Sequence, residues 1–225
     1  MRIAALNTIV AVLALIVSAI TAWYQFSPKS DAIILSNEGI ISYDDVIDVD
    51  RVAIFTSDKT SRGAIGPIKW KVRIYNPMDR SISLISASPY YIDKDEVSSY
   101  WSGMDFKLLN SNISGEKKLP DAMEAYSAEE FVVSINMPFL YDLRISSECT
   151  KENVTLSEFE KCHWNSGVDL FGNEVNPVQY EKGVAGLSSY AFSSIKEYSR
   201  IKIQIETGDE SSFNLTLPYY PFKNF

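Results

Sequence analysis

Ile68-Lys69-Trp70-Lys71-Val72-Arg73-Ile74-Tyr75 alternates without a break. Ile68, Trp70, Val72 and Ile74 fall on one side, and Lys69, Lys71 and Arg73 on the other. Successive strand side chains point to opposite faces, so the run predicts an antiparallel strand with one face in a core and one in water. Asn76-Pro77-Met78-Asp79-Arg80 follows with turn chemistry, because Pro presets its φ and Asn and Asp bond nearby backbone. Ile82 and Leu84 then alternate with Ser81 and Ser83, and residues 68–86 read as a hairpin. Ser88 to Ile92 extends the return strand.

The same alternation recurs on both sides. Phe131, Val133 and Ile135 share a face within Glu130 to Met137. Ile201, Ile203 and Ile205 alternate with Lys202, Gln204 and Glu206; after the turn Thr207-Gly208-Asp209-Glu210, Phe213, Leu215 and Leu217 alternate with Asn214 and Thr216. That pair reads as a closing hairpin, ended by Pro218. Ala32 to Leu35 and Val52 to Thr56 are further strand candidates. Short antiparallel strands joined by turns predict a mainly β fold, an antiparallel β-sandwich with Trp70, Val72, Ile74, Val133, Ile203 and Leu215 in its core. The order of pattern around 68–86, 126–137 and 200–217 resembles the generic plan of immunoglobulin-like domains hung from single membrane helices. The Cys–Trp–Cys arrangement of true immunoglobulin domains is absent.

Upstream of the sheet pattern, Ile3 to Trp23 carries no charge. About 20 apolar residues at roughly 1.5 Å each span a bilayer core of about 30 Å. Trp23, Tyr24 and Phe26 suit the headgroup boundary. The division expected is an N-terminal transmembrane anchor over 1–26 and a β-sandwich domain over 27–225. A cleaved signal peptide is the rival, with Arg2 as its basic start and Val17-Ser18-Ala19 or Ile20-Thr21-Ala22 as its cleavage site. The apolar run exceeds what a signal peptide needs, which favours a retained signal-anchor. Arg2 before the span and Lys29 after it nearly balance under the positive-inside rule. The N-terminal amine tips the balance toward N-inside, which places the domain in the periplasm or outside the cell.

Residues 138–199 interrupt the strand pattern and are too long for a plain loop. They read as a partly helical insertion, with one helix over Ser157 to Trp164, capped by Thr155 or Ser157, and another over Leu187 to Tyr198. Cys149 and Cys162, the chain's only cysteines, both lie there. An even count beside an export segment predicts a disulfide, closing a loop for which chain entropy gives about 3 kcal/mol.

The motif census argues against chemistry. His163 is the only histidine, so any Ser-His-Asp or Cys-His arrangement must use it. Neighbouring Cys162 would point away from it on a helix. Cys149, Cys162 and His163 lack the fourth ligand and the short spacings of structural zinc. The acidic runs Asp44 to Asp50 and Asp93 to Glu96 lack the pattern of calcium loops and read as solvated turns. Neither a G-x-S-x-G nor a phosphate-binding glycine motif occurs. No catalytic, cofactor or metal residue is expected, and the chain reads as not an enzyme. With a net charge of −8 and scattered basic residues, it lacks the clustered positive charge that nucleic acid requires. Asn112, Asn153 and Asn214 begin N-x-S/T sequons, which matter only where glycosylation occurs.

Clustered aromatics are the one pointer to a partner. Tyr219, Tyr220, Phe222 and Phe225 at the C-terminus are the candidate interface, since aromatics are enriched at binding hot spots. The function expected is therefore a single-pass membrane-anchored, non-enzymatic binding or assembly module, its partners the bilayer and an unidentified protein. One alternative is a membrane-anchored or secreted two-carboxylate glycan or cell-wall hydrolase. Another is a cytoplasm-facing subunit of a membrane complex, which free cysteines would favour.

Overall fold

A computed structural model describes residues 12–23, 30–55, 61–92, 98–99, 104–112, 115–140, 143–178, 189–192 and 199–219. The chain divides into two units, Met1–Asp31 and Ala32–Phe225. In the first, residues 12–23 are helical (α1) and exposed throughout. Among the described residues no helix is long and apolar enough to cross a membrane. Residues 3–11 of the predicted span lie outside them, as do Tyr24 and Phe26.

The second unit is mainly antiparallel β. One five-stranded sheet contains β1 (Ile34–Ile40), β2 (Asp48–Phe55), β3 (Ser61–Tyr75), β6 (Lys107–Asn110) and β8 (Ala128–Leu140), in the order β1-β3-β8-β6 with β2 also on β3. The other holds β4 (Ile82–Ile92), β5 (Ser98–Ser99), β7 (Asp121–Met123), β11 (Ser199–Thr207) and β12 (Ser212–Tyr219), in the order β12-β11-β4-β5 with β7 also on β4. A two-stranded ribbon pairs β9 (Val175–Val178) with β10 (Ser189–Phe192).

Both five-stranded sheets feed one core. On β3 and β8, Trp70 lies opposite Val133 and Val72 opposite Phe131. On β11 and β12, Ile203 lies opposite Leu215 and Ile201 opposite Leu217. All of these side chains are buried in a single cluster, as is Ile74. The alternate positions of β3 meet water and carboxylates: Lys69 pairs with Asp45, Lys71 with Glu130, and Arg73 with Glu130.

The closing hairpin forms with the predicted partners, but the expected hairpin over 68–86 does not. β3 and β4 belong to different sheets. The reason is that both edges of β3 are occupied, one by β1 and β2 and the other by β8. β4 has no edge of β3 left to pair with and crosses to β11. Asn76 organises the crossing. Its buried amide nitrogen donates to the carbonyls of Arg80 (2.9 Å) and Glu124 (2.8 Å), and its Oδ1 accepts from Met78 N (2.9 Å). A buried amide so satisfied fixes the arch without a ladder.

The region after β8 also departs from expectation. Sheet pairing continues to Leu140, so the strand pattern persists past 138. Helices α2 (Leu143–Cys149) and α3 (Leu156–Asn165) follow, and their Ile145, Leu156 and Phe159 join the main core cluster. Of the helix expected over 187–198, residues 189–192 are instead strand β10, antiparallel to β9; 187–188 and 193–198 lie outside the described residues.

Candidate functional site

The least routine part of the domain is the cap formed by α2, α3 and the loop that follows. Cys149 ends α2 and Cys162 lies in the last turns of α3; the two form a disulfide with Cα atoms 5.6 Å apart. Thr155 caps α3: its hydroxyl accepts from Glu158 N, and the Glu158 carboxylate accepts from Thr155 N at 3.0 Å. This reciprocal box satisfies two of the donors that a helix start leaves open. The segment before β2 is stitched onto the same helix start, through Leu156 N to the carbonyl of Asp45 (3.2 Å) and Ser157 N to that of Tyr43 (3.0 Å).

The buried face of α3 consists of Leu156, Phe159, Glu160, His163 and Trp164. Phe159 meets Phe139 of β8 edge to face, with centroids 5.6 Å apart. Glu160 is the exception on this face, a carboxyl group only 4% exposed. The Tyr219 hydroxyl, from the end of β12, donates to Glu160 Oε1. Burial, reinforced by the nearby Asp169 charge, pushes Glu160 up to about 8. Half-buried Tyr43 is pushed up to about 12 by burial and then by Glu160. Tyr219 is raised well above its ordinary value, first by burial and then by Glu160. Asp169 is raised by burial, against the opposing pull of its hydrogen bonds. Those bonds come from Phe171 N (2.8 Å), Asn173 N (2.8 Å) and Asn173 Nδ2 (2.7 Å), and they tie the loop after α3 into a knot.

Tyr219 therefore stands where an interface residue cannot. It is fully enclosed, with its ring against Phe171 at 5.8 Å, and it belongs to the core. The alternation of β12 simply continues past Pro218, which pairs with Arg200 on an edge strand where a missing N–H costs little. Tyr220, Phe222 and Phe225 lie outside the described residues. Trp23, at the end of the described helix, is 74% exposed.

A cleft of about 310 Å³ opens beside the disulfide, lined by Cys149, Lys151, Glu152, Asn153, Val154, Glu158 and Cys162. Glu158 is held low by the Thr155 N–H and hydroxyl of its own cap. His163 is buried between Phe139 and Phe159. With both sulfurs bridged, the Cys149–Cys162–His163 set offers no thiolate to a metal. Among the described residues no group of three His, Cys, Asp or Glu could hold one. Asn112, Asn153 and Asn214 are all exposed, the first two in turns and the third on β12.

No protein-family model matches the chain, and no curated protein matches it significantly.

The sequence reading passed over Glu160, Asp169 and Tyr43. The signal for Glu160 was present: Leu156, Phe159, Glu160 and His163 fall at the i, i+3, i+4, i+7 spacing of one helix face.

Proposed function

We propose that this chain is a single-pass membrane-anchored binding or assembly module, acting through protein contacts rather than chemistry, with its β domain in the periplasm or outside the cell. The observation that carries the reading is an exposed apolar helix in the same chain as a disulfide-holding β domain. Val12, Leu13, Leu15, Ile16, Val17 and Ile20 are all 46% exposed or more. Soluble helices bury such a set, whereas a bilayer accepts it. The hydroxyl of Thr21 donates to the Val17 carbonyl at 2.8 Å, the way a polar side chain is satisfied inside lipid. The Cys149–Cys162 bridge supports an oxidising compartment.

The two antiparallel sheets around one core support an immunoglobulin-like sandwich plan, with the arch at Asn76 carrying the chain between sheets. The hydrolase alternative requires two carboxyl groups about 5–10 Å apart at an accessible face. Glu160 and Asp169, the carboxyls brought together in the cap, are enclosed, which supports the binding reading. Membrane fractionation of the full chain tests the anchor. The protein is expected to stay in the pellet through carbonate washing. Release as a soluble species shortened by about 20 residues would mark a cleaved signal peptide instead.

A further inference from the structure

Glu160 occupies a position that packing alone would give to an apolar residue, and it is the point where four pieces of the fold converge. It comes from α3, which the disulfide links to α2. It receives the hydroxyl of Tyr219 at the end of β12. It lies within electrostatic reach of Tyr43, on the segment between β1 and β2, and of Asp169, on the loop after α3. Among the described residues no Lys or Arg forms an ion pair with Glu160. The neighbouring cation, Lys161, is exposed on the next position of the helix. His163, one turn on, is enclosed by Phe139 and Phe159.

We propose that Glu160 is a proton-operated latch: protonated, it stays enclosed between the α2–α3 cap and the end of β12, and without its proton the need of the buried carboxylate for water parts the two.

The physics follows from the cluster. A neutral carboxyl is tolerated beside the Tyr219 hydroxyl in a dry setting, but a carboxylate there has lost its water and, among the described residues, gained only the pull of exposed Lys161. It also faces Asp169, whose three N–H donors favour that residue's charged form, so a second negative charge is repelled. Relief comes by letting water reach Glu160, which requires α3 and β12 to part locally. The disulfide holds α2 to α3 as they do so, and the cap moves as one piece. Phe171, on the loop after α3, also meets β12 through its ring contact with Tyr219.

Opened and solvated, Glu160 returns toward its ordinary value of 4.5, whereas closed it stands near 8. Opening therefore becomes about tenfold easier per pH unit between those values and levels off above the higher one. The test is amide hydrogen exchange on the full-length chain in lipid vesicles, from pH 5.5 to 9, corrected for intrinsic exchange. Wild type is compared with Glu160→Gln and Tyr219→Phe, reading the amides of residues 156–175 and 212–219. In wild type, opening of these segments is expected to rise steeply with pH and then flatten near 8. Glu160→Gln removes that rise; because Asp169 and His163 are kept in both chains, the difference between the profiles isolates Glu160. Tyr219→Phe deletes a donor that favours the charged form, so the flattening point moves to higher pH. Equal profiles in wild type and Glu160→Gln, or a wild-type profile without a rise, overturn the latch. If Glu160→Gln does not fold, the Tyr219→Phe displacement alone decides: an unmoved flattening point overturns it.

Discussion

Trp70 and Asn76 are both fully buried or nearly so, for opposite reasons. Trp70 fills the core between the sheets, and Trp70→Ala should cost about 3–5 kcal/mol in denaturant unfolding, as large-to-small core changes do. Asn76 instead satisfies backbone groups where the chain leaves one sheet for the other. Asn76→Ala strands those carbonyls and should cost about 2–4 kcal/mol by the same measurement. Arg73→Ala, by contrast, breaks solvent-exposed ion pairs with Glu130 and Glu38 and should leave the unfolding midpoint nearly unchanged. Trp70 was legible from its alternating neighbours. The role of Asn76 was not, because Asn-Pro reads as turn chemistry whether the chain folds back on its own sheet or crosses to another. Only the occupancy of both edges of β3 decides between them, and that depends on Glu130 to Met137 far along the chain. Tyr219 was misplaced for a simpler reason. Pro218 reads as a stop, yet on an edge strand the period of two carries on through it.

At the scale of elements, α3 was foreseen almost to its ends because its cap is local: Thr155 and Glu158 stand three apart with an apolar run behind them. Thr155→Ala should destabilise the domain by about 1 kcal/mol. The bridge at the other end of α3 is worth more. Replacing Cys149 and Cys162 together by Ser should lower unfolding stability by about 3 kcal/mol, the chain-entropy value for a loop of this size. A loss near zero would mean that packing and hydrogen bonds hold the α2–α3 cap without the bridge. The strand at 189–192 was not legible because its partner, β9, contains Asn176 and Pro177, which carry no strand signal of their own.

For the whole molecule, the buried carboxyl sets a pH dependence of stability with a definite sign. Glu160 moves from 4.5 in the unfolded chain up to about 8 in the fold, so the native state holds the proton more tightly. Its contribution is complete below about 4.5, fades as pH rises to about 8, and is constant beyond. Glu130, held low by Arg73 and Lys71, and Asp121, held low by Lys117, act in the opposite sense and lose their contribution as pH falls. Both lie partly exposed at the surface, and their effect is small. Urea midpoints taken across this range should fall from mildly acid to mildly alkaline pH in wild type, and should fall less in Glu160→Gln.

The proposed function requires the domain to be exported, anchored and bridged. The most direct measurement is labelling of the full chain in intact cells with a membrane-impermeant thiol reagent, with and without prior reduction. Cys149 and Cys162 are expected to label only after reduction, and without lysis. Labelling that needs lysis but no reduction would place two free thiols in the cytoplasm, contradict the export reading, and leave the cytoplasm-facing complex subunit in its place.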